Sequence, residues 1–297
     1  MINKSEVLFT FAKSYHISHN QDYFCCVGSK VNLYNISGEL IFEFKDIKSP
    51  NCSQFTSDQT LIVKTSEGRY YIFDLVSLKL IKQIPPPKNV LGSTTFFQIT
   101  SDNKYIIDFS YVFPTCELMI IDIETGVYTF FDLGYSRSGF LFSTETNSKY
   151  YVLTKCPKTI NDPDVSLRVY YELIYKSKKF KLKKLFYDDG GKVSNADYSS
   201  EKFAIADYSN KIKIFDTQNN FVDELKYDSD SVLYDLKLSK NGRYIALVES
   251  QNVYIYDLNK KECVKTYKTD NGCFVDFFDN GKLLIGTWEK GYCLRLD

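Results

Sequence analysis

Several patterns are scarce or missing in this chain of 297 residues. No apolar run approaches the ~20 residues that a membrane-spanning helix needs, so we expect no membrane span. Lysine plus arginine number 37, as do aspartate plus glutamate, and this balance argues against non-specific binding to nucleic acid or to an anionic membrane. No stretch shows a sustained helical period, which predicts an all-β chain.

Motifs of catalysis and cofactor binding are also missing. The chain has no Gly-x-Ser-x-Gly elbow, P-loop or Gly-x-Gly-x-x-Gly motif. Nucleophilic and nucleotide chemistry therefore have no support, and we predict no enzyme and no cofactor. The only histidines, His16 and His19, are three positions apart and so point to opposite faces of a strand. We therefore predict no metal site.

The cysteines form no Cys-x-x-Cys pair, and most of them lie in apolar runs. The first six residues lead into a strand-like stretch and do not resemble a signal peptide. We therefore predict buried, free thiols and a cytoplasmic protein. The eight thiols belong to Cys25, Cys26, Cys52, Cys116, Cys156, Cys263, Cys273 and Cys293.

What the sequence does contain is a repeat. Seven strand-like runs end on an apolar or aromatic residue followed by an acid or an amide. The pairs are Tyr34-Asn35, Phe73-Asp74, Ile121-Asp122, Tyr171-Glu172, Phe215-Asp216, Tyr256-Asp257 and Leu296-Asp297. Successive pairs are 39, 48, 50, 44, 41 and 40 residues apart. A period near 40 with several short strands is typical of a β-propeller. We therefore predict one domain over residues 1–297, a seven-bladed β-propeller of four-stranded antiparallel blades.

The sixth repeat shows the predicted strands most clearly, at 231–238, 243–249, 253–258 and 262–267, with hairpin turns between them. The seventh repeat ends with its third strand, whereas residues 6–12 form a strand that has no place in the first repeat. We therefore predict that residues 6–12 supply the outer strand of the seventh blade and close the propeller.

Two segments resemble the closing strand of WD40-type repeats. They are SNKIKIFD at 209–216 and EGRYYIFD at 67–74, with Phe-Asp where that family has Trp-Asp. No repeat carries Gly-His before its inner strand, so the resemblance is to WD40-like seven-bladed propellers at the level of strand pattern. It implies the propeller fold, which hosts both enzymes and passive scaffolds.

Irregular repeats indicate where a partner binds. Blade 3 adds residues 108–116 and blade 4 adds residues 155–166 between their second and third strands. In a propeller such loops share one face with the connections between blades, which predicts a loop-rich face over blades 2–5. Exposed loops commonly carry binding residues, and aromatic and arginine side chains are favoured interface anchors.

We therefore predict a monomeric, non-catalytic scaffold that binds a protein or peptide on this face. The predicted anchors are Tyr111, Phe113, Pro114, Tyr135, Arg137 and Trp288. Two alternatives stay open: the added loops only cover one another, or Trp288 belongs to the core.

A second hypothesis concerns the axial channel. Alignment of the inner strands places His16 beside Gln54, Gln98, Lys237 and Asp276. An apolar column follows one residue later, at Ile17, Phe55, Ile99, Leu238 and Phe277. This polar set is compatible with a lactonase-like or other hydrolase-like propeller enzyme acting on a small polar substrate through His16, Lys237 and Asp276. The simpler interpretation is that inner strands are hydrated at the axis and carry assorted polar residues.

Overall fold

Strands make up nearly all of the regular structure. The computed structural model describes residues 2, 4–56, 59–88, 96–112, 115–133, 138–143, 149–159, 162–188, 193–199, 201–207, 210–218, 220–227, 231–278 and 281–296. Within these ranges side chains are described except at 4, 111–112, 115–116, 138–139, 143, 155–159, 162–168 and 186–188. The described residues form 28 strands and one 3-10 turn, Lys4–Glu6, which confirms the predicted all-β class.

The strands run in chain order as follows. They are β1 Val7–Ala12, β2 His16–His19, β3 Tyr23–Val27, β4 Val31–Asn35, β5 Leu40–Phe44, β6 Pro50–Phe55, β7 Thr60–Thr65, β8 Tyr70–Asp74, β9 Lys79–Ile84, β10 Gln98–Ile99, β11 Tyr105–Val112, β12 Thr115–Asp122, β13 Tyr128–Asp132 and β14 Ser138–Ser143. The second half comprises β15 Lys149–Thr159, β16 Asp162–Lys176, β17 Lys179–Asp188, β18 Val193–Ser199, β19 Lys202–Asp207, β20 Lys211–Asp216, β21 Phe221–Lys226, β22 Leu233–Leu238, β23 Tyr244–Glu249, β24 Asn252–Asp257, β25 Glu262–Lys268, β26 Gly272–Phe278, β27 Lys282–Thr287 and β28 Lys290–Arg295.

These strands form seven four-stranded antiparallel sheets, the blades of a seven-bladed β-propeller, as the sequence predicts. Six blades take four consecutive strands each, from β2–β5 to β22–β25, and the seventh has the order β1-β28-β27-β26. The chain divides into two compact units, Met1–Ser53 with Ser194–Asp297, and Gln54–Val193. That the whole chain acts as one domain stays a prediction.

Blade 6 shows how local sequence builds a blade. β23 is an almost wholly apolar strand between two neighbours and is buried over its last five residues, whereas the outer strand β25 mixes polar and apolar side chains and is mostly exposed. The turn between β22 and β23 is fixed by Ser239, whose Oγ accepts a hydrogen bond from the Tyr244 N–H at 2.8 Å. Gly242 adopts a φ of 65° in this turn, a conformation that glycine takes without steric cost.

The N-terminal strand completes the seventh blade, as predicted. β1 pairs antiparallel with β28, from Val7 opposite Leu294 to Ala12 opposite Lys290. The Phe11 ring packs edge-to-face on Phe24, with ring centroids 5.3 Å apart. β1 therefore joins the core of the seventh blade to that of the first within one unit.

The described residues of the added segments in blades 3 and 4 continue paired strands, so the expectation that these segments form loops is wrong for those residues. β11 and β12 stay paired from Tyr105 opposite Asp122 to Val112 opposite Thr115. β15 and β16 stay paired as far as Thr159 opposite Asp162. Continued pairing satisfies the backbone N–H and C=O groups that an irregular loop would leave to water.

The described cysteines are free, in agreement with the sequence-based prediction. Cys25, Cys26, Cys52 and Cys293 are buried, and Cys273 is half-buried. Cys263 is exposed, which corrects the prediction for this residue: β25 is the outer strand of its blade, and one face of an outer strand meets water.

A charged pair is fully buried in the second unit. Lys64 on β7 and Asp108 on β11 have no side-chain exposure, and Lys64 Nζ lies 2.5 Å from Asp108 Oδ2. The Tyr70 hydroxyl donates to the same carboxylate oxygen, and Asp108 Oδ1 accepts from the Phe109 N–H at 2.7 Å. Asp108 is therefore a core residue that joins blades 2 and 3, and it does not belong to an added loop.

None of the helical segments in the described ranges has the length and apolar character that crossing a membrane requires.

Candidate functional site

Most predicted partner-binding anchors lie outside the described side chains. Phe113, Pro114, Tyr135 and Arg137 fall outside the described residues, and Tyr111 is described only through its backbone in β11. Their role in binding stays a prediction.

Trp288 is the predicted anchor that the structure does describe. It lies in the turn between β27 and β28 with 55% of its surface exposed, so the core alternative is wrong. Its ring centroid is 6.2 Å from that of Tyr15, and its backbone N–H donates to the Asn271 carbonyl at 3.1 Å. The Tyr15 hydroxyl lies 2.9 Å from the Gly28 carbonyl oxygen. Trp288 is therefore an exposed aromatic residue on a well-anchored turn.

The predicted axial residues are distributed over both units. Gln54 on β6 and Gln98 on β10 belong to the second unit and are half-buried. His16, Lys237 and Asp276 belong to the first unit. Of these three, Lys237 and Asp276 line one pocket, whereas His16 lies buried behind it.

The register of the first blade differs by two residues from the sequence alignment. Lys237, Asp276 and Gln98 each pair with the third residue of their neighbouring strand: Ala246, Leu284 and Ile107. In blade 1 the third residue of β3 is Cys25, and its partner is Ser18. Ser18 therefore occupies the position that the alignment gave to His16.

The same shift places His19 in the apolar column. His19 pairs with Phe24, the second residue of β3, as Leu238 pairs with Ile245, the second residue of β23. The cause is the turn between the inner and second strands, which is two residues shorter in blade 1 than in blade 6. An imidazole thus stands where other blades have Leu, Ile or Phe.

We name the cavity at this position the His19–Asp276 pocket. Its volume is about 450 Å³, and every lining residue belongs to the first unit. The lining residues are His19, Asn20, Gln21, Asp197, Tyr198, Ser199, Lys237, Leu238, Lys240, Asp276 and Phe277.

An imidazole and a carboxylate meet at one side of this pocket. His19 Nε2 lies 3.4 Å from Asp276 Oδ2, and both side chains are partly exposed to the pocket. The edge of the His19 ring is held against Phe278, with centroids 4.9 Å apart. A carboxylate beside an imidazole can orient the ring, so Asp276 fixes the position of the His19 side chain in the pocket.

Lys237 is surrounded by carboxylates. Burial disfavours its charged form, but attraction to Asp197, Asp235 and Asp276 outweighs this, so the pKa of Lys237 is raised. Among the described residues, the carboxylate oxygen closest to Lys237 Nζ is Asp197 Oδ1, at 3.8 Å. Lys237 is therefore a cation throughout the physiological pH range.

Two of these carboxylates are held by backbone donors of the next blade. Asp197 Oδ2 accepts from the Leu238 N–H at 2.7 Å, and Asp235 Oδ2 accepts from the Val275 N–H at 3.1 Å. Burial raises the pKa of Asp235 to about 7, although Lys237 and the backbone N–H groups of Val275 and Leu236 oppose the rise. Burial likewise raises the pKa of Asp197. These backbone hydrogen bonds fix the position of Asp197 in the wall of the pocket and of Asp235 near Lys237.

His16 is a buried neutral base. It is 8% exposed, and its Nδ1 accepts a long hydrogen bond from the Ser53 N–H at 3.4 Å. Burial and the nearby Lys237 charge lower its pKa to about 3. His16 therefore stays uncharged when the protein is folded at neutral pH.

A pH dependence of stability follows from His16. Between pH 6.5 and about 3 the unfolded chain binds a proton at this residue and the folded chain does not, so acidification favours unfolding. Compared with His16→Gln, the wild-type free energy of unfolding should fall by about 1.4 kcal/mol per pH unit through this window. Urea unfolding of both proteins at several pH values measures this difference. The pH dependence that comes from Asp235 is present in both proteins and cancels in the comparison. If the free energy of unfolding depended on pH in the same way in both proteins, the neutral state assigned to His16 would be wrong.

Sequence reasoning missed His19, Asp197 and Asp235. Asp197 and Asp235 are acids within inner strands, which is a visible signal, but their contacts to the next blade are not visible in the sequence. His19 could have been found by aligning the repeats on their second strands and counting back through the turn to the inner strand, because pairing with the second strand sets the register of the inner strand.

In the part of the chain that the structure describes, no group of three or more His, Cys, Asp and Glu side chains is placed to hold a metal ion. The chain matches no protein-family model, and it matches none of the curated proteins with which it was compared.

Proposed function

We propose that this protein is a non-catalytic interaction scaffold of the WD40-like propeller type, which binds a protein or peptide partner. Exposed Trp288 is the observation that carries the proposal. Tryptophan is enriched among residues that dominate binding energy, and anchors of this kind work best when their position is fixed before binding.

The turn that carries Trp288 meets this requirement. Thr287 Oγ1 accepts hydrogen bonds from the Glu289 N–H at 3.2 Å and the Lys290 N–H at 3.1 Å. Tyr15 supports the indole from the side, and its own hydroxyl is engaged with backbone carbonyl groups. A partner would therefore lose little side-chain entropy in ordering this site, which favours binding.

Exposed charged residues flank Trp288, as the polar rim of a protein interface surrounds its aromatic centre. Glu289 is exposed, and the exposed Lys290 places its ammonium 5.2 Å from the centre of the Tyr292 ring. An aromatic centre flanked by charged residues is the usual arrangement of a protein interface. The roles of Tyr111, Phe113, Pro114, Tyr135 and Arg137 as anchors remain proposed.

Replacing Trp288 with serine should abolish capture of the partner and leave the fold intact. Pull-downs from lysate of the native source would compare wild type, Trp288→Ser and the matched control Phe221→Ser, an exposed aromatic residue on the outer strand β21. A partner identified in this way should bind Trp288→Ser at least ~30-fold more weakly, since a hot-spot residue contributes about 2 kcal/mol or more.

The Phe221→Ser control shows whether any loss of binding is specific to Trp288. A protein retained by wild type and by Phe221→Ser, but lost by Trp288→Ser of unchanged melting temperature, supports the proposal. The same proteins in all three eluates would refute a role for Trp288. A further variant with Tyr111 and Phe113 replaced by serine tests the proposed anchors in blade 3 in the same way.

A further inference from the structure

The His19–Asp276 pocket contains charged groups with unused hydrogen-bonding capacity. Within the described ranges, the Lys237 ammonium and the Asp276 carboxylate make no hydrogen bond of ordinary length. Their closest ionic contacts are the 3.8 Å separation from Asp197 Oδ1 and the 3.4 Å separation from His19 Nε2, whereas charge-assisted hydrogen bonds measure about 2.7–2.9 Å. Each of these groups can therefore make a further hydrogen bond to a molecule that lies beside the pair in the pocket.

The charges on the walls of the pocket cancel. Asp197 and Asp276 supply two negative charges, and Lys237 and Lys240 supply two positive charges. An anionic ligand would meet the two carboxylates, and a cationic ligand would meet the two ammonium groups. The balance favours a neutral ligand that can both donate and accept hydrogen bonds.

Hydroxyl groups have this property, because each carries one donor and two acceptor positions. One hydroxyl can accept from Lys237 and donate to Asp197, and a neighbouring hydroxyl can donate to Asp276. Tyr198 and Phe277 add aromatic surface to the lining, which suits the apolar C–H face of a ring-shaped polyol. We propose that the pocket binds a small neutral polyhydroxyl compound, of the size of a monosaccharide or a cyclic polyol.

The size of the pocket agrees with this class of ligand. About 450 Å³ lies at the lower end of the range of ligand-binding cavities, roughly 300–1,000 Å³. Most of the polar groups lie on β2, β18, β22 and β26, and Asn20, Gln21 and Lys240 come from the turns that follow β2 and β22. This binding is independent of partner binding at Trp288, and either can hold without the other.

Ligand-observed NMR and titration calorimetry on the full chain would test the proposal. The probes are glucose, galactose, mannose, xylose and myo-inositol, with ethylammonium and acetate as charged comparison compounds. At least one neutral probe should bind wild type saturably. Its affinity should fall about tenfold or more in Asp276→Asn and in Lys237→Met, since each removes a hydrogen bond to a charged group.

Two controls distinguish loss of the site from loss of the fold. Asp270→Asn changes an exposed acid outside the pocket and should bind as wild type does. Asp276→Asn preserves shape and breaks no hydrogen bond of ordinary length, so its melting temperature should be unchanged even if Lys237→Met is destabilised. The proposal fails if no neutral probe binds wild type, if only a charged compound binds, or if binding survives Asp276→Asn.

Discussion

Replacing Asp108 with alanine should lower the free energy of unfolding by about 3–5 kcal/mol. The substitution removes the carboxylate 2.5 Å from Lys64 Nζ, at a place where neither side chain has any exposure. The buried ammonium would then lose its ion pair with Asp108, and the Tyr70 hydroxyl would lose its hydrogen bond to the same carboxylate. Urea unfolding of wild type and variant measures the difference.

The matched variant replaces both charges. Lys64→Met together with Asp108→Leu fills similar volumes with apolar groups, and such replacements of buried ion pairs are often neutral or stabilising. The double variant should therefore be more stable than Asp108→Ala. A loss below about 1 kcal/mol in Asp108→Ala would show that this pair does not hold blades 2 and 3 together.

Much of the fold was predictable because its signals are local. Four short strands and their turns recur in each repeat, and features such as the Ser239 turn involve residues only a few positions apart. The pairing of β1 with β28 was also predictable, because an unplaced strand at one end and a blade lacking a strand at the other leave one solution.

The candidate site was less predictable because it depends on register and on distant contacts. A turn shorter by two residues moved Ser18 and His19 to positions that the alignment had given to His16 and Ile17. Lys64 and Asp108 each stand out as a charge in an apolar run, but nothing in the sequence tells which distant charge is the partner. The acids around Lys237 come from three different blades, and only the fold brings them together.

Deleting residues 1–12 should destabilise the protein by more than about 3–5 kcal/mol, the typical cost of truncating one buried phenylalanine. The deletion removes Phe11 from its contacts with Phe24 and Tyr34, and it also removes Phe9, whose ring stacks on Phe24. Thermal and urea unfolding, compared with deletion of residues 1–5 alone, would measure the contribution of β1.

Packing around β1 explains why the loss should be large. Gly291 lies opposite Phe11, and a Cβ at Gly291 would lie 1.8 Å from Phe11 Cε2, so the ring rests directly on the backbone of β28. Without β1 the backbone groups of β28 would form an open edge, which favours pairing with other chains. The deletion variant should therefore aggregate at concentrations where wild type does not, as light scattering would show.

Point variants and a peptide test whether the stability depends on the packing of β1 itself, whether or not the strand is covalently attached to the chain. Phe11→Ala should cost about 3–5 kcal/mol, and Thr10→Ala, on the exposed face of the same strand, should cost little. A synthetic peptide of residues 4–13 should raise the melting temperature of the deletion variant, because an added strand can pair with the free edge of β28. Equal stability of the two deletion variants would overturn the conclusion that β1 holds the seventh blade to the first.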